Sequence, residues 1–264
     1  MSTPTAKTSD DAVRLAYDDQ GEGPAVLLLH AFPFDRRFWI AITPALVKAG
    51  FRVISPDLRG FGESPRLTGT HTVADHARDV ARFIETLGIA PAAVVGLSMG
   101  GYVALALAAN HPRLVSALVL ADTKAAADSD AARQGRDQAI ELVNARGVAP
   151  FADGMLTRLV APETPPDVMR SIRRLMNQPA QTVVATLAAL RDRPDRRVDL
   201  PAILVPTLVI AGALDTLSTP EENRSMAEAL PNTVLQQLPD VGHLPNLEHP
   251  ACFAAALVAF LQRR

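Results

Sequence analysis

The chain has 264 residues, 48% apolar and 20% charged, with a formal net charge of -2. That is enough apolar material for a sizeable core, as one large α/β domain or a domain carrying an insertion. Arginines scattered among acidic residues leave no basic stripe for a nucleic acid backbone, and no apolar run approaches the roughly 18 residues of a membrane span, so neither partner is expected.

The opening MSTPTAKTSDD is polar and lacks the basic-then-apolar order of a secretory signal, so it reads as a loose terminus and the expected location is the cytoplasm. VRLAYDD (13–19) is expected to add an antiparallel edge. AVLLLH (25–30), FRVISPD (51–57), AAVVGLS (92–98), VSALVLAD (115–122) and TLVIAGALD (207–215) are short apolar runs that read as strands buried on both faces. Val73, Ala77, Val80, Ala81 and Ile84 form one stripe of a helix between them, with Thr72 and Asp75 as its starting cap. From about 123 to 200 the alternation stops. Val168, Ile172, Leu175 and Met176 form one short helical stripe and Val183, Leu187 and Leu190 another, with prolines between such segments. TVLQQLP (233–239) is a late strand, and Phe253, Ala256, Leu257, Phe260 and Leu261 mark a closing helix. The expectation is a mostly parallel sheet flanked by helices, with a core domain of 1–122 and 201–264 and a helical cap of 123–200.

Gly96-Leu97-Ser98-Met99-Gly100 matches G-x-S-x-G where an apolar strand gives way to a tightly packed helix. A sharp turn there forces the serine into an unfavourable backbone conformation that only small neighbours tolerate, and it holds the hydroxyl at the carboxyl edge of the sheet. The helix start below it favours developing negative charge. A serine hydroxyl needs a base to become a nucleophile. His71 and His76 read as solvated or capping residues and His111 as a helix end. His243, in a loop after the last strand, is favoured over His249. The carboxylate that orients an imidazolium is expected at Asp215, with Asp122 the competitor; Thr219, Pro220 and Glu222 would start a helix just beyond Asp215. Backbone donors to an oxyanion are expected at Met99, after the nucleophile, and at Phe32, just after the first inner strand.

With HAFPFDRRFW, SPDLRGFGES, GLSMGG, AGALDTLSTP and VGHLPNLEHP in this order, nearly the whole chain resembles the α/β-hydrolase superfamily, in particular cap-bearing bacterial serine esterases and their lactonase and cofactor-free haloperoxidase relatives. The resemblance implies the α/β-hydrolase fold, a nucleophile at Ser98, a base at His243, an acid at Asp215, and oxyanion donors at Phe32 and Met99. One departure is Ala31, where many relatives carry glycine. Relatives that use an aspartate nucleophile are disfavoured by Ser98. No H-E-x-x-H, cysteine cluster or phosphate loop occurs, and Cys252 is the lone cysteine, so no metal or organic cofactor is expected.

Phe34, Trp39, Met155, Met176, Leu217 and Leu244 are candidates to line an apolar substrate pocket. The expected activity is hydrolysis of carboxylic esters of small to medium apolar substrates through an acyl-enzyme. The alternatives are an enol-lactone type of lactonase and a slow-turnover ligand-binding signalling protein of the same fold. Arg170, Arg173 and Arg174 read as a solvated face before they read as a site for an anionic lactone.

Overall fold

The computed structural model describes residues 14–67 and 69–263. The polar opening and Val13 of the expected edge strand lie outside the described residues. A seven-stranded sheet is built from β1 (Tyr17–Gln20), β2 (Ala25–Leu29), β3 (Arg52–Pro56), β4 (Ala92–Leu97), β5 (Val115–Ala121), β6 (Thr207–Gly212) and β7 (Thr233–Leu238), in the order β1-β3-β2-β4-β5-β6-β7. Only β1 runs antiparallel to its neighbour; the other pairs are parallel.

Near-continuous apolar strands suit a sheet covered on both faces. Alternate residues divide between two cores. Leu27, Leu29, Val94, Leu118, Leu120 and Val209 pack on one face with helices α2 (Val73–Leu87) and α3 (Met99–Asn110). Val26, Leu28, Val95, Val119, Leu208 and Ile210 pack on the other, with α1 (Thr43–Lys48) and the closing helix that follows. Each such side chain contributes about 1.5–3 kcal/mol on full burial. The Thr72 and Asp75 capping box forms as expected, and the whole apolar stripe of α2 is buried.

Four helices separate β5 from β6: α4 (Asp130–Arg146), α5 (Val148–Leu159), α6 (Pro166–Leu175) and α7 (Ala180–Arg191). They are an inserted cap. Its first helix, 17 residues long, fully buries only Val143: Ala131, Ala132, Gly135 and Arg136 border a cavity, while Ala139, Ile140 and Leu142 are partly buried against the core. That is why α4 lacks the apolar stripe by which α6 and α7 announce themselves. Arg193 fastens the base of the cap: its guanidinium bonds Asp128 Oδ1 at 2.5 Å and the carbonyls of Leu190 and Ala126, and lies 4.3 Å from the centre of the Tyr102 ring. The chain returns through β6, α8 (Pro220–Ala229), β7, the short α9 (Pro245–Glu248) and α10 (Pro250–Leu261). Among the described residues no helix is long and apolar enough to cross a membrane.

Candidate active site

Ser98 sits between β4 and α3 with φ 53° and ψ -113°, a conformation that a non-glycine residue adopts only under constraint. Its N–H donates to Ala121 O at 2.9 Å, while its carbonyl accepts from Thr123 Oγ1 at 2.8 Å and Tyr102 N at 3.2 Å. The glycines around it are required by close approach. A Cβ on Gly96 would lie 2.2 Å from Gly100 O, and one on Gly100 would lie 2.0 Å from Leu29 O. This lets the start of α3 press against the end of β2, which carries Phe32 to the same edge of the sheet.

His243 Nε2 lies 2.8 Å from Ser98 Oγ, and its Nδ1 lies 2.8 Å from Asp215 Oδ2. With Nδ1 protonated toward the carboxylate, Nε2 is left free to accept the serine proton. Asp215 follows β6 and also accepts from Leu217 N at 2.8 Å, Ser218 N at 3.3 Å and Ser218 Oγ at 2.5 Å. Burial raises the cost of its charge, but the facing His243 and the hydrogen bonds from His243, Ser218 and Leu217 hold it below the ordinary carboxylate range. The Thr219 and Glu222 capping box then starts α8.

The histidine loop is fixed from the cap side. His243 N–H donates to Leu159 O at 3.0 Å. Glu248 Oε2 accepts from Ala161 N at 2.7 Å, Thr164 Oγ1 at 3.0 Å and Gly242 N at 3.2 Å, and its Oε1 accepts from Leu244 N at 3.0 Å. On the opposite side, His30 Nε2 accepts from Leu58 N at 3.0 Å and Nδ1 donates to Ala31 O at 2.9 Å, a pairing that requires neutral imidazole. Burial accordingly pushes its ionisation down. Asp57 receives Arg36 N at 2.6 Å and Glu63 N at 2.8 Å and pairs with the Arg36 guanidinium. The loop that bears Phe32 is thus pinned to the loop after β3. Among the described residues, neither the Phe32 N–H nor the Met99 N–H has a hydrogen-bond partner in the protein.

A cavity of about 580 Å³ opens over Ser98 and His243, walled by Phe32, Tyr102, Phe151, Met155, Leu190 and Leu217 among others. Lys124, Asp128, Arg136 and Arg158 contribute its polar surface. Asp128 is already engaged by Arg136 and Arg193, and Lys124 by Glu222. Among the described residues, no group of three or more His, Cys, Asp or Glu side chains is arranged to hold a metal.

Of the residues expected at the pocket, Met155 and Leu217 border the cavity. Phe34, Trp39, Met176 and Leu244 do not: all four are fully buried in a core cluster that α1 and α10 share with the cap helices α5 and α6. Trp39 stacks on Phe253 with ring centres 6.2 Å apart, so that ring fills the core and not the pocket. His71 and His76 also depart from expectation. His71 packs edge to face on His76, in the first turn of α2, with ring centres 4.3 Å apart, and His76 is only 2% exposed. His249 instead links α9 to α10, outside the site. Arg170 and Arg174 are exposed, and Arg173 pairs with Asp153 at 2.5 Å. The sequence does not mark Phe151 and Leu142 as cavity walls, the anchor Glu248 or the donor Ser218, and it shows Leu190 only as part of a helical stripe. Glu248 lay in the motif VGHLPNLEHP, and its spacing from His243 was the available signal.

The family model described as alpha/beta hydrolase fold matches residues 24–250. The chain belongs to the α/β-hydrolase family. This α/β-hydrolase is 33% identical to a protein named putative non-heme bromoperoxidase BpoC from Mycobacterium tuberculosis, over 94% of this chain and 97% of the relative. A thermophilic esterase from Thermogutta terrifontis superposes with a TM-score of 0.91 at 38% identity, over 97% of this chain and 96% of that one. An enol-lactonase from Burkholderia xenovorans superposes with a TM-score of 0.88 at 31% identity, over 96% of this chain and 98% of that one. With its Ser98-His243-Asp215 array, the α/β-hydrolase is a serine hydrolase.

Proposed function

We propose that the protein is a carboxylesterase that hydrolyses small to medium apolar esters through an acyl-enzyme on Ser98. The observation that carries this reading is the continuous relay from Asp215 through His243 to Ser98, with 2.8 Å at both links, opening into a cavity of about 580 Å³ whose walls include Phe32, Phe151, Met155 and Leu217. Likeness to the Thermogutta terrifontis esterase supports it. In this reading, residues 1–122 and 201–264 supply the reacting groups, and 123–200 form the cap that walls the substrate.

His243 Nε2 takes the Ser98 proton as Oγ attacks the ester carbonyl carbon. The Phe32 and Met99 N–H groups donate to the resulting oxyanion, and the N-terminus of α3 adds its positive end. Asp215 balances the imidazolium. His243 then protonates the leaving alcohol, and the ester bond breaks. A water molecule, deprotonated by the same nitrogen, attacks the acyl-enzyme and releases the acid and free Ser98.

A second reading, opening of lactone rings, uses the same steps with the leaving alcohol tethered to the acyl group. Its support is the likeness to the Burkholderia xenovorans enol-lactonase, together with Arg158, an exposed cation at the cavity that makes no ion pair among the described residues. Multiple-turnover rates on p-nitrophenyl esters of rising acyl length and on several lactones, for wild type and Ser98→Ala, test both. Ser98-dependent preference for open-chain esters supports the esterase, and faster lactone opening replaces it with the lactonase. A single acylation burst without turnover defeats both in favour of a ligand-binding protein.

A further inference from the structure

Asp122 directly follows β5 with φ 42°, and its side chain is completely buried. Its N–H donates to Ile210 O at 2.9 Å and its Oδ1 accepts the Gly212 N–H at 2.7 Å. The carboxyl group is therefore clamped against the end of β6, three residues before Asp215. No lysine, arginine or histidine pairs with it among the described residues, and Oδ2 accepts no hydrogen bond although it is sealed from water. Asp215 is anchored to the same glycine, its N–H donating to Gly212 O at 3.2 Å, and its negative charge opposes ionisation of Asp122.

Two adjacent buried carboxylates cannot both stay charged when one of them has a single neutral donor. A proton on Oδ2 removes the like charge, and Asp215 supplies the acceptor which that proton needs. We propose that Asp122 is a neutral carboxylic acid whose Oδ2–H donates to the Asp215 carboxylate, making it a positioning residue of the triad. The role rests on Ser98, His243 and Asp215 being the reacting array.

The electrostatics run the same way. Burial first, then Asp215, push Asp122 ionisation well upward, with Glu248 adding a smaller repulsion; only the Gly212 N–H opposes them. Asp215, which faces His243 and accepts from Ser218 and Leu217, is pushed the other way. One proton and one negative charge are shared by the pair, so the imidazolium faces a single carboxylate with a fixed orientation.

Replacing Asp122 separates this from an ionised or merely space-filling group. In Asp122→Asn the amide nitrogen takes over the donor and the amide oxygen keeps the Gly212 bond. The expected result is kcat within about twofold of wild type and an unmoved acidic limb of kcat/KM. Asp122→Leu removes the donor and strands the Gly212 N–H, lowering kcat about tenfold. A move of the acidic limb to lower pH by about one unit in Asp122→Asn overturns the proposal, because it would mean that a negative charge beside the imidazolium had been lost.

Infrared difference spectra of wild type minus Asp122→Asn at neutral pH supply a readout independent of turnover. A carbonyl band of a protonated carboxylic acid is expected, and carboxylate bands alone overturn the proposal. Should the variants fail to fold, carbon-13 NMR of wild type labelled at aspartate carboxyls decides it: one resonance stays at a protonated shift through neutral pH, or none does. Full esterase activity in Ser98→Ala would instead remove the catalytic reading and leave the protonation result standing.

Discussion

Glu248 Oε2 accepts the N–H of Ala161 at 2.7 Å, which ties the end of α5 to the loop that carries His243. The same carboxylate takes the N–H groups of Gly242 and Leu244 on either side of the histidine. One side chain therefore sets both the position of the imidazole and the seat of the cap above it. Glu248→Ala leaves several buried donors without partners, each costing about 1–3 kcal/mol. A lower urea midpoint and a fall in kcat of about tenfold or more are expected, with a smaller change in KM. A variant with wild-type kcat and a wild-type midpoint would show that the loop holds its position without this anchor.

The relay is predicted to fail in graded steps. Asp215→Asn leaves the shape of the site but favours the wrong imidazole tautomer, so kcat should fall about 10⁴-fold. Ser218→Ala removes a 2.5 Å hydrogen bond to Asp215 Oδ2 and leaves three other donors in place. Its expected loss is about tenfold. Steady-state kinetics on one activated aryl ester measure both, and equal losses would contradict the graded roles.

The sheet and the triad were legible in sequence because each rests on local pattern. Inner strands are apolar on both faces, and the serine turn needs Gly96 and Gly100 whatever the rest of the chain does. The pocket was not legible for the opposite reason. An aromatic at a helical or loop position says that it is buried but not against what, and Trp39 found Phe253 while Phe151 found the cavity. The helix α4 has alanines, Gly135 and Arg136 facing an empty space, a composition that carries no apolar period. Glu248 acts through bonds to Ala161 and Thr164 that join distant segments, which spacing alone does not encode, while Ser218 reaches Asp215 locally from three residues on.

In the esterase reading, the cavity walls are expected to set the acyl chain length. Met155 and Leu217 border it from the cap and from the loop beyond Asp215. Met155→Trp fills part of that space, so kcat/KM for a long acyl ester should drop about tenfold relative to an acetyl ester. Trp39→Phe, by contrast, alters a core ring remote from the cavity and should lower thermal stability with the chain-length profile unchanged. A shifted profile in Trp39→Phe would place that ring nearer the substrate than its stacking on Phe253 implies.

Acid should destabilise the fold through the histidine pair at the start of α2. Burial lowers the ionisation of His71 to about 4, with Asp79 opposing and Arg59 and Arg78 adding to the drop. Burial, followed by His71, His30 and Arg59, pushes His76 well below its ordinary 6.5. Above about pH 6.5 both groups are neutral in folded and unfolded chains alike, and their contribution is fully present. As pH falls below that value the unfolded chain binds protons that the folded chain refuses, so unfolding is favoured increasingly down to about pH 4, where folded His71 titrates as well. The urea midpoint is therefore expected to fall steadily over this window. His76→Leu substitutes an apolar group in a site only 2% exposed and removes one of the titrations, which should flatten the slope. An unchanged slope in that variant would assign the acid sensitivity to groups other than His76.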